Sequence, residues 1–150
     1  MVPDFKNSID SLKKIIRANP EVIGHNIEVT RNLFKELRPQ GNYYLSLKLL
    51  KNIKKLNPNQ KTKSGLMIGL GESKKDIIKT MKDLKKADVD FLTIGQYLQP
   101  RKDLADVKKF YTPKEFSELK RLGVEMGFKH IESGPLVRSS YRADKLDKMI

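Results

Sequence analysis

Gly65-Leu-Met-Ile-Gly-Leu-Gly-Glu72, followed at once by Ser73-Lys-Lys-Asp76, decides how this chain folds. Residues 65–71 carry no ionisable side chain, so the run reads as a short buried strand that breaks into a glycine-rich turn. Ser73 with Asp76 three residues on is a capping-box-like start for a helix whose buried stripe is Ile77, Met81 and Leu84. Strand, turn and capped helix in that order make one βα unit, and in parallel α/β folds the loop after the strand carries the ligand site. Backbone N–H groups, close approach at glycine and an apolar wall are what such a turn can offer; an ordinary βα connection is the plainer reading of the same residues.

The same alternation runs outward in both directions. Towards the N-terminus the spacing predicts a helix over 8–18, a strand over 22–27, a short helix over 29–37 and a strong amphipathic helix over 43–56, before the strand at 61–70. Towards the C-terminus come a strand at 91–95, a basic loop at 101–111, and a helix announced by Thr112-Pro113-Lys-Glu115 with Thr as N-cap. Gly127 ends that helix, and a last strand at 128–133 precedes Gly134-Pro-Leu-Val-Arg-Ser-Ser-Tyr141. Three or four βα units in 150 residues are too few for an eight-unit barrel, which needs about 250. The expectation is part of a barrel or a small open sheet.

Composition narrows the classes. Hydrophobic content of 38% and charged content of 33% suit a globular domain, and no apolar run reaches the length of a membrane span, so a cytoplasmic protein is expected. The chain has no cysteine and therefore no disulfide or thiolate metal site of its own. Its net charge of +13 raises nucleic acid as a partner, but only seven of the 31 basic residues are Arg, Trp is absent and the Lys are spread over every helix. Runs such as Lys13-Lys14 and Lys54-Lys55 are expected on solvated helix faces. Nucleic acid is not the expected partner.

Polar residues gather where the strands end. Asn26 and Glu28 fall on one face if the strand continues that far. His25 is expected to be a hydrogen-bonded histidine rather than a general base, since no carboxylate partner is evident. Lys63 inside a strand suggests a Schiff-base lysine, although flanking Lys61 favours an ordinary exposed side chain. Tyr43 and Tyr44 read as helix packing. Arg138-Ser-Ser-Tyr141 reads either as a functional cluster or as the N-cap of a last helix, with Ser139 or Ser140 as cap and Asp144 in its first turns.

Taken in series, Val2-Pro-Asp-Phe5, His25-Asn-Ile-Glu28, Arg38-Pro39 with Tyr43 and Ser46-Leu47, residues 62–72, Leu92-Thr-Ile-Gly-Gln-Tyr-Leu-Gln-Pro100 and Ser133-Gly-Pro-Leu-Val-Arg-Ser-Ser-Tyr141 resemble lipoyl synthase, a radical S-adenosylmethionine enzyme. The family's Gly-x-Ile-x-Gly-x-x-Glu element falls on Gly65, Met67, Gly69 and Glu72. The resemblance implies the C-terminal part of a partial (β/α)6 TIM-like barrel with parallel strands plus a C-terminal extension. Residues 1–150 are then one domain, with barrel βα units over about 1–100 and the final helix and extension over about 101–150. It implies a sulfurtransferase reaction, insertion of two sulfurs at C6 and C8 of a protein-bound octanoyl group to give lipoyl. The implied cofactors are two 4Fe-4S clusters and S-adenosylmethionine. Ser140 would be the one cluster ligand here, with Arg138 and Tyr141 in support. Asn26, Glu28, Lys63, Ser64, Gly65, Met67, Gly69 and Glu72, with Gln96 and Tyr97, would line the S-adenosylmethionine pocket.

Octanoylated lipoyl carrier domains (the acyltransferase of dehydrogenase complexes, the glycine cleavage H protein) and an electron donor such as ferredoxin or flavodoxin are the implied partners. Both cysteine motifs of the family lie in its N-terminal half, so the chain is expected to be a C-terminal half without turnover alone. Thr30-Arg31-Asn32 stands where the family carries a Pro-Arg pair, and residues 101–107 lack a His common in the family. The alternative is a non-catalytic basic module that docks carrier domains or nucleic acid.

Overall fold

The computed structural model describes residues 1–140. Four parallel strands, β1 (Val22–Gly24), β2 (Lys61–Ile68), β3 (Phe91–Gln96) and β4 (His130–Gly134), lie in the order β1-β2-β3-β4. The helices are α1 (Ile9–Arg17), α2 (Phe34–Leu37), α3 (Tyr43–Leu56), α4 (Lys74–Lys86) and α5 (Pro113–Glu125), with 3-10 turns at Phe5–Asn7 and Arg31–Leu33. Spatial order follows chain order without reversal, so right-handed crossovers place the connecting helices on one face. A doubly wound sheet reverses at a switch point. This sheet is an open arc that fits part of a TIM-like wall. Among the described residues no helix is long and apolar enough to cross a membrane.

The two faces differ in chemistry. Leu66 and Ile68, Leu92 and Ile94, and Ile131 pack with Ile53, Ile77, Met81, Leu84, Phe116 and Leu119 in one core between sheet and helices. Gly123 lets α5 lie close on β4, since a Cβ there would stand 2.4 Å from Ile131. The opposite face carries Lys63, Gly65 and Met67 of β2, Thr93 and Gly95 of β3, and Glu132 of β4.

Local signals account for most boundaries. Ser8 caps α1, Asn42 caps α3, and Ser73/Asp76 and Thr112/Glu115 form reciprocal capping boxes on α4 and α5. Gly127 ends α5 at φ +85°. The segment 29–37, expected as one helix, is a 3-10 turn followed by one turn of α-helix. The strand expected over 22–27 stops at Gly24. Gly24 pairs with Lys63, and Glu28 then bridges Leu66, so four steps on one strand oppose three on the other. That extra residue is a β-bulge. It twists the chain so that Glu28 takes φ +70°.

Two expectations about side chains are corrected. Lys54 is no solvated helix-face lysine: it is buried with its ammonium 2.5 Å from Asp90. Tyr43 packs edge-on to Phe34 and donates to Asp83 at 3.1 Å, whereas Tyr44 is 58% exposed. Burial pushes the Tyr43 hydroxyl well above its ordinary pKa, helped by the adjacent Asp83 charge.

Candidate ligand site at the C-terminal strand ends

The bulge builds the site. Its backbone is fixed by Glu28 N–H donating to Gly65 O (2.9 Å) and Met67 N–H donating to Glu28 O (2.8 Å). The Ile27 N–H that the bulge would orphan donates to Ser64 Oγ at 3.1 Å. Asn26 and Glu28 share a face as expected, with Asn26 Nδ2 3.3 Å from Glu28 Oε1. Arg38, from the turn after α2, approaches the same carboxylate at 3.6 Å. A non-glycine residue held at positive φ at a strand end is strain of the kind that persists where a side chain must be aimed.

Two cavities meet at Glu28 and Met67. The larger, about 910 Å³, opens over the strand ends between Arg38, Leu70, Tyr97 and Leu104. The smaller, about 90 Å³, lies beneath it among Asn26, Gly65, Thr93, Gly95, Val137 and Arg138. Gly65 and Gly95 are small for separate reasons. A Cβ on Gly65 would stand 2.8 Å from Asn26 Oδ1, and one on Gly95 would strike the Val137 carbonyl at 2.1 Å. The C-terminal segment is thereby laid against β3, where the Arg138 guanidinium donates to Val137 O (2.8 Å) and Gln96 O (3.4 Å).

Of the expected site residues, Asn26, Glu28, Gly65, Met67, Tyr97 and Arg138 come together around these cavities. Ser64, Gly69, Glu72 and Gln96 do not; they are committed to the protein's own hydrogen bonds. The Glu72 carboxylate, 7% exposed, accepts from Gly69 N–H (2.7 Å), Leu70 N–H (3.0 Å) and the Tyr111 hydroxyl (3.0 Å). The amides that the turn was expected to offer are therefore filled from within. Burial, with the Glu72 charge beside it, pushes the Tyr111 hydroxyl well above its ordinary pKa. Gln96 donates to Tyr97 O and Lys109 O and accepts from Tyr111 N–H, each at 3.0 Å, which pins the 105–111 loop to β3. Glu72→Ala is expected to cost about 1–3 kcal/mol for each buried donor it strands, summing below additivity, as measured by urea unfolding.

Lys63 is also corrected. It is 9% exposed and on the polar sheet face, where burial lowers its pKa and Glu132 partly restores it. His25 is satisfied: Nδ1 lies 3.0 Å from the Val2 carbonyl, which can only accept, so in the neutral ring Ser46 donates to Nε2 at 2.9 Å. Thr93, His130 and Glu132 on the same sheet face escaped the sequence reading. Their period-2 placement opposite Leu92, Ile94 and Ile131 was the available signal. His130 Nε2 lies 3.0 Å from Glu132 and Lys120 lies 3.4 Å away. Burial raises the Glu132 pKa, but Lys120 and His130 outweigh it and hold the carboxyl below the usual range. Ser140 is exposed at the end of the described chain. Tyr141 and the expected cap partner Asp144 lie outside the described residues.

A four-stranded parallel α/β sheet with an apolar helix face, a polar opposite face and a cavity at the strand ends fits part of a TIM-like fold, with a candidate ligand site where such folds carry one. No family model matches the chain. Curated relatives do: it is 50% identical over 143 residues to the lipoyl synthase of Rubrobacter xylanophilus, covering 95% of this chain and 44% of that protein. The lipoyl synthases of Flavobacterium psychrophilum and Idiomarina loihiensis are 51% and 52% identical over 145 residues each, covering 97% and 96% of this chain and 50% and 45% of theirs. The chain belongs to the lipoyl synthase family and spans about half the length of the curated relatives it matches.

Proposed function

We propose that this chain forms the C-terminal wall of a lipoyl synthase, binding the adenosyl part of S-adenosylmethionine at the strand ends and facing a carrier-bound octanoyl group. The observation that carries this reading is the Asn26–Glu28 pair, aimed by the bulge over Gly65 and Met67. A carboxylate and an amide side by side suit the two adjacent hydroxyls of a ribose. Met67, Leu70 and Tyr97 give an apolar wall for a flat base. These residues fit the nucleoside.

They do not by themselves fit an iron–sulfur cluster. The chain has no thiolate, its one candidate cluster ligand is the Ser140 hydroxyl, and no group of three metal-binding side chains occurs among the described residues. In the whole enzyme the bound cofactors would supply the radical that opens the octanoyl C–H bonds and the sulfur that replaces hydrogen. This chain would orient the ribose through Asn26 and Glu28 and keep water from the base with its apolar wall. Octanoylated carrier domains, a ferredoxin or flavodoxin donor and a cytoplasmic setting belong to the same proposal.

The test is a chimera in which this chain replaces the matching half of the Rubrobacter xylanophilus lipoyl synthase, assayed by mass spectrometry for lipoyl formation on an octanoylated carrier domain. Product is expected, with at least a hundredfold loss in Glu28→Gln through weakened cofactor binding and in Ser140→Ala. A folded, cluster-loaded chimera without product would reject the assignment, as would full activity in Glu28→Gln.

A further inference from the structure

We propose that the groove between α3 and α4, on the helix side of the sheet and away from the strand-end cavities, docks an acidic helical segment of a partner protein. The groove measures about 300 Å³ and draws its walls from three elements. Lys48 and Lys51 stand one turn apart on α3, and Lys79 and Lys86 two turns apart on α4, so cations line both walls, over about 5 Å on α3 and about 10 Å on α4. Arg31 lines it as well. The single carboxylate in the groove is Asp83, already engaged by Lys79 at 3.7 Å and by the Tyr43 hydroxyl at 3.1 Å. Among the described residues Arg31, Lys48, Lys51 and Lys86 form no ion pair.

Elsewhere on this basic chain lysines reach carboxylates across elements: Lys74 reaches Glu118, Lys109 reaches Glu115, and Lys129 reaches Asp90. Five cations converging on a groove whose one anion is spent leave a concentrated positive field. Carboxylates at i, i+3 and i+7 of one helix span about 10 Å and match the longer of the two rows. Single-stranded nucleic acid fits less well. The one aromatic ring here, Tyr44, has the Arg31 guanidinium over it at 5.2 Å and a perpendicular contact with Tyr43, so a base would have to displace the guanidinium to stack on that face.

Fluorescence anisotropy of the full chain with a labelled helical peptide about four turns long, bearing Glu at i, i+3, i+4 and i+7 on an alanine background, tests this. Binding at low ionic strength is expected to weaken at least about tenfold in Lys48→Glu/Lys51→Glu. It should change less than about twofold in Lys13→Glu/Lys14→Glu, which makes the same charge change on α1. The four side chains are exposed, and circular dichroism of both variants checks that they fold. Equal losses in the two variants, equal affinity for a peptide with its Glu distributed all round the helix, or stronger binding of a single-stranded RNA of matched charge would each overturn the proposal.

Discussion

Asp90→Ala is expected to lower the unfolding free energy by about 3–5 kcal/mol, a large share of the roughly 5–15 kcal/mol that holds a domain of this size. Asp90 is 4% exposed at the N-terminal edge of β3. Its carboxylate takes Lys54 at 2.5 Å, Lys129 at 2.8 Å and the Thr62 N–H at 2.9 Å, so one side chain ties α3, β2 and the approach to β4. Removing it leaves the Lys54 ammonium buried without its counter-charge, which costs more than the pair contributes. Burial alone would raise the Asp90 pKa; the bonds from Lys129, Lys54 and Thr62 outweigh it and hold the carboxyl below the usual carboxylate range. A depressed folded-state pKa adds stability that is complete above the unfolded value of about 3.9 and is lost as pH falls through the folded value. Urea unfolding across pH should therefore show wild type and Asp90→Asn furthest apart near neutrality and converging on the acid limb. A constant gap down to acid pH would assign the loss to packing rather than charge.

Gly69→Ala is expected to cost about 3–4 kcal/mol. Gly69 holds φ +109°, a conformation foreign to residues with a Cβ, and the added methyl would stand 2.2 Å from Gln96 Nε2 and 2.6 Å from the Lys109 carbonyl. Gln96 cannot simply step aside, because its amide holds residues 109 and 111 in place. The 105–111 segment must lift, and with it go the Lys108 N–H bond to Gly69 O at 2.8 Å and the seat of Tyr111. The readout is twofold: a lower urea midpoint, and faster tryptic cleavage after Lys102 and Lys108. A midpoint within about 1 kcal/mol of wild type would show that the loop absorbs the methyl.

What could be read from the chain was whatever is settled within a few residues. The capping boxes at Ser73/Asp76 and Thr112/Glu115 involve partners three apart, and the apolar stripes of α3, α4 and α5 repeat within a turn, so those helices stood where their spacing put them. The Asp90 clamp draws on residues 54, 62 and 129, and nothing local marks Lys54 as different from Lys55. The bulge at 25–28 was equally hidden, since its extra residue exists only relative to the register of β2. Site residues divided along the same line. Alternation put Asn26 and Glu28 on one face, while the internal hydrogen bonds of Ser64, Glu72 and Gln96 join residues up to 39 apart, most of them through backbone groups that sequence does not display.

The Glu72 carboxylate also decides what the glycine turn can no longer hold. A glycine turn running into a helix start usually welcomes phosphate. Here the two amides that phosphate would seek are already saturated by a fixed negative charge. A phosphate reaching that turn would meet a carboxylate in place of free amides. The turn keeps its own anion where a phosphate would otherwise sit.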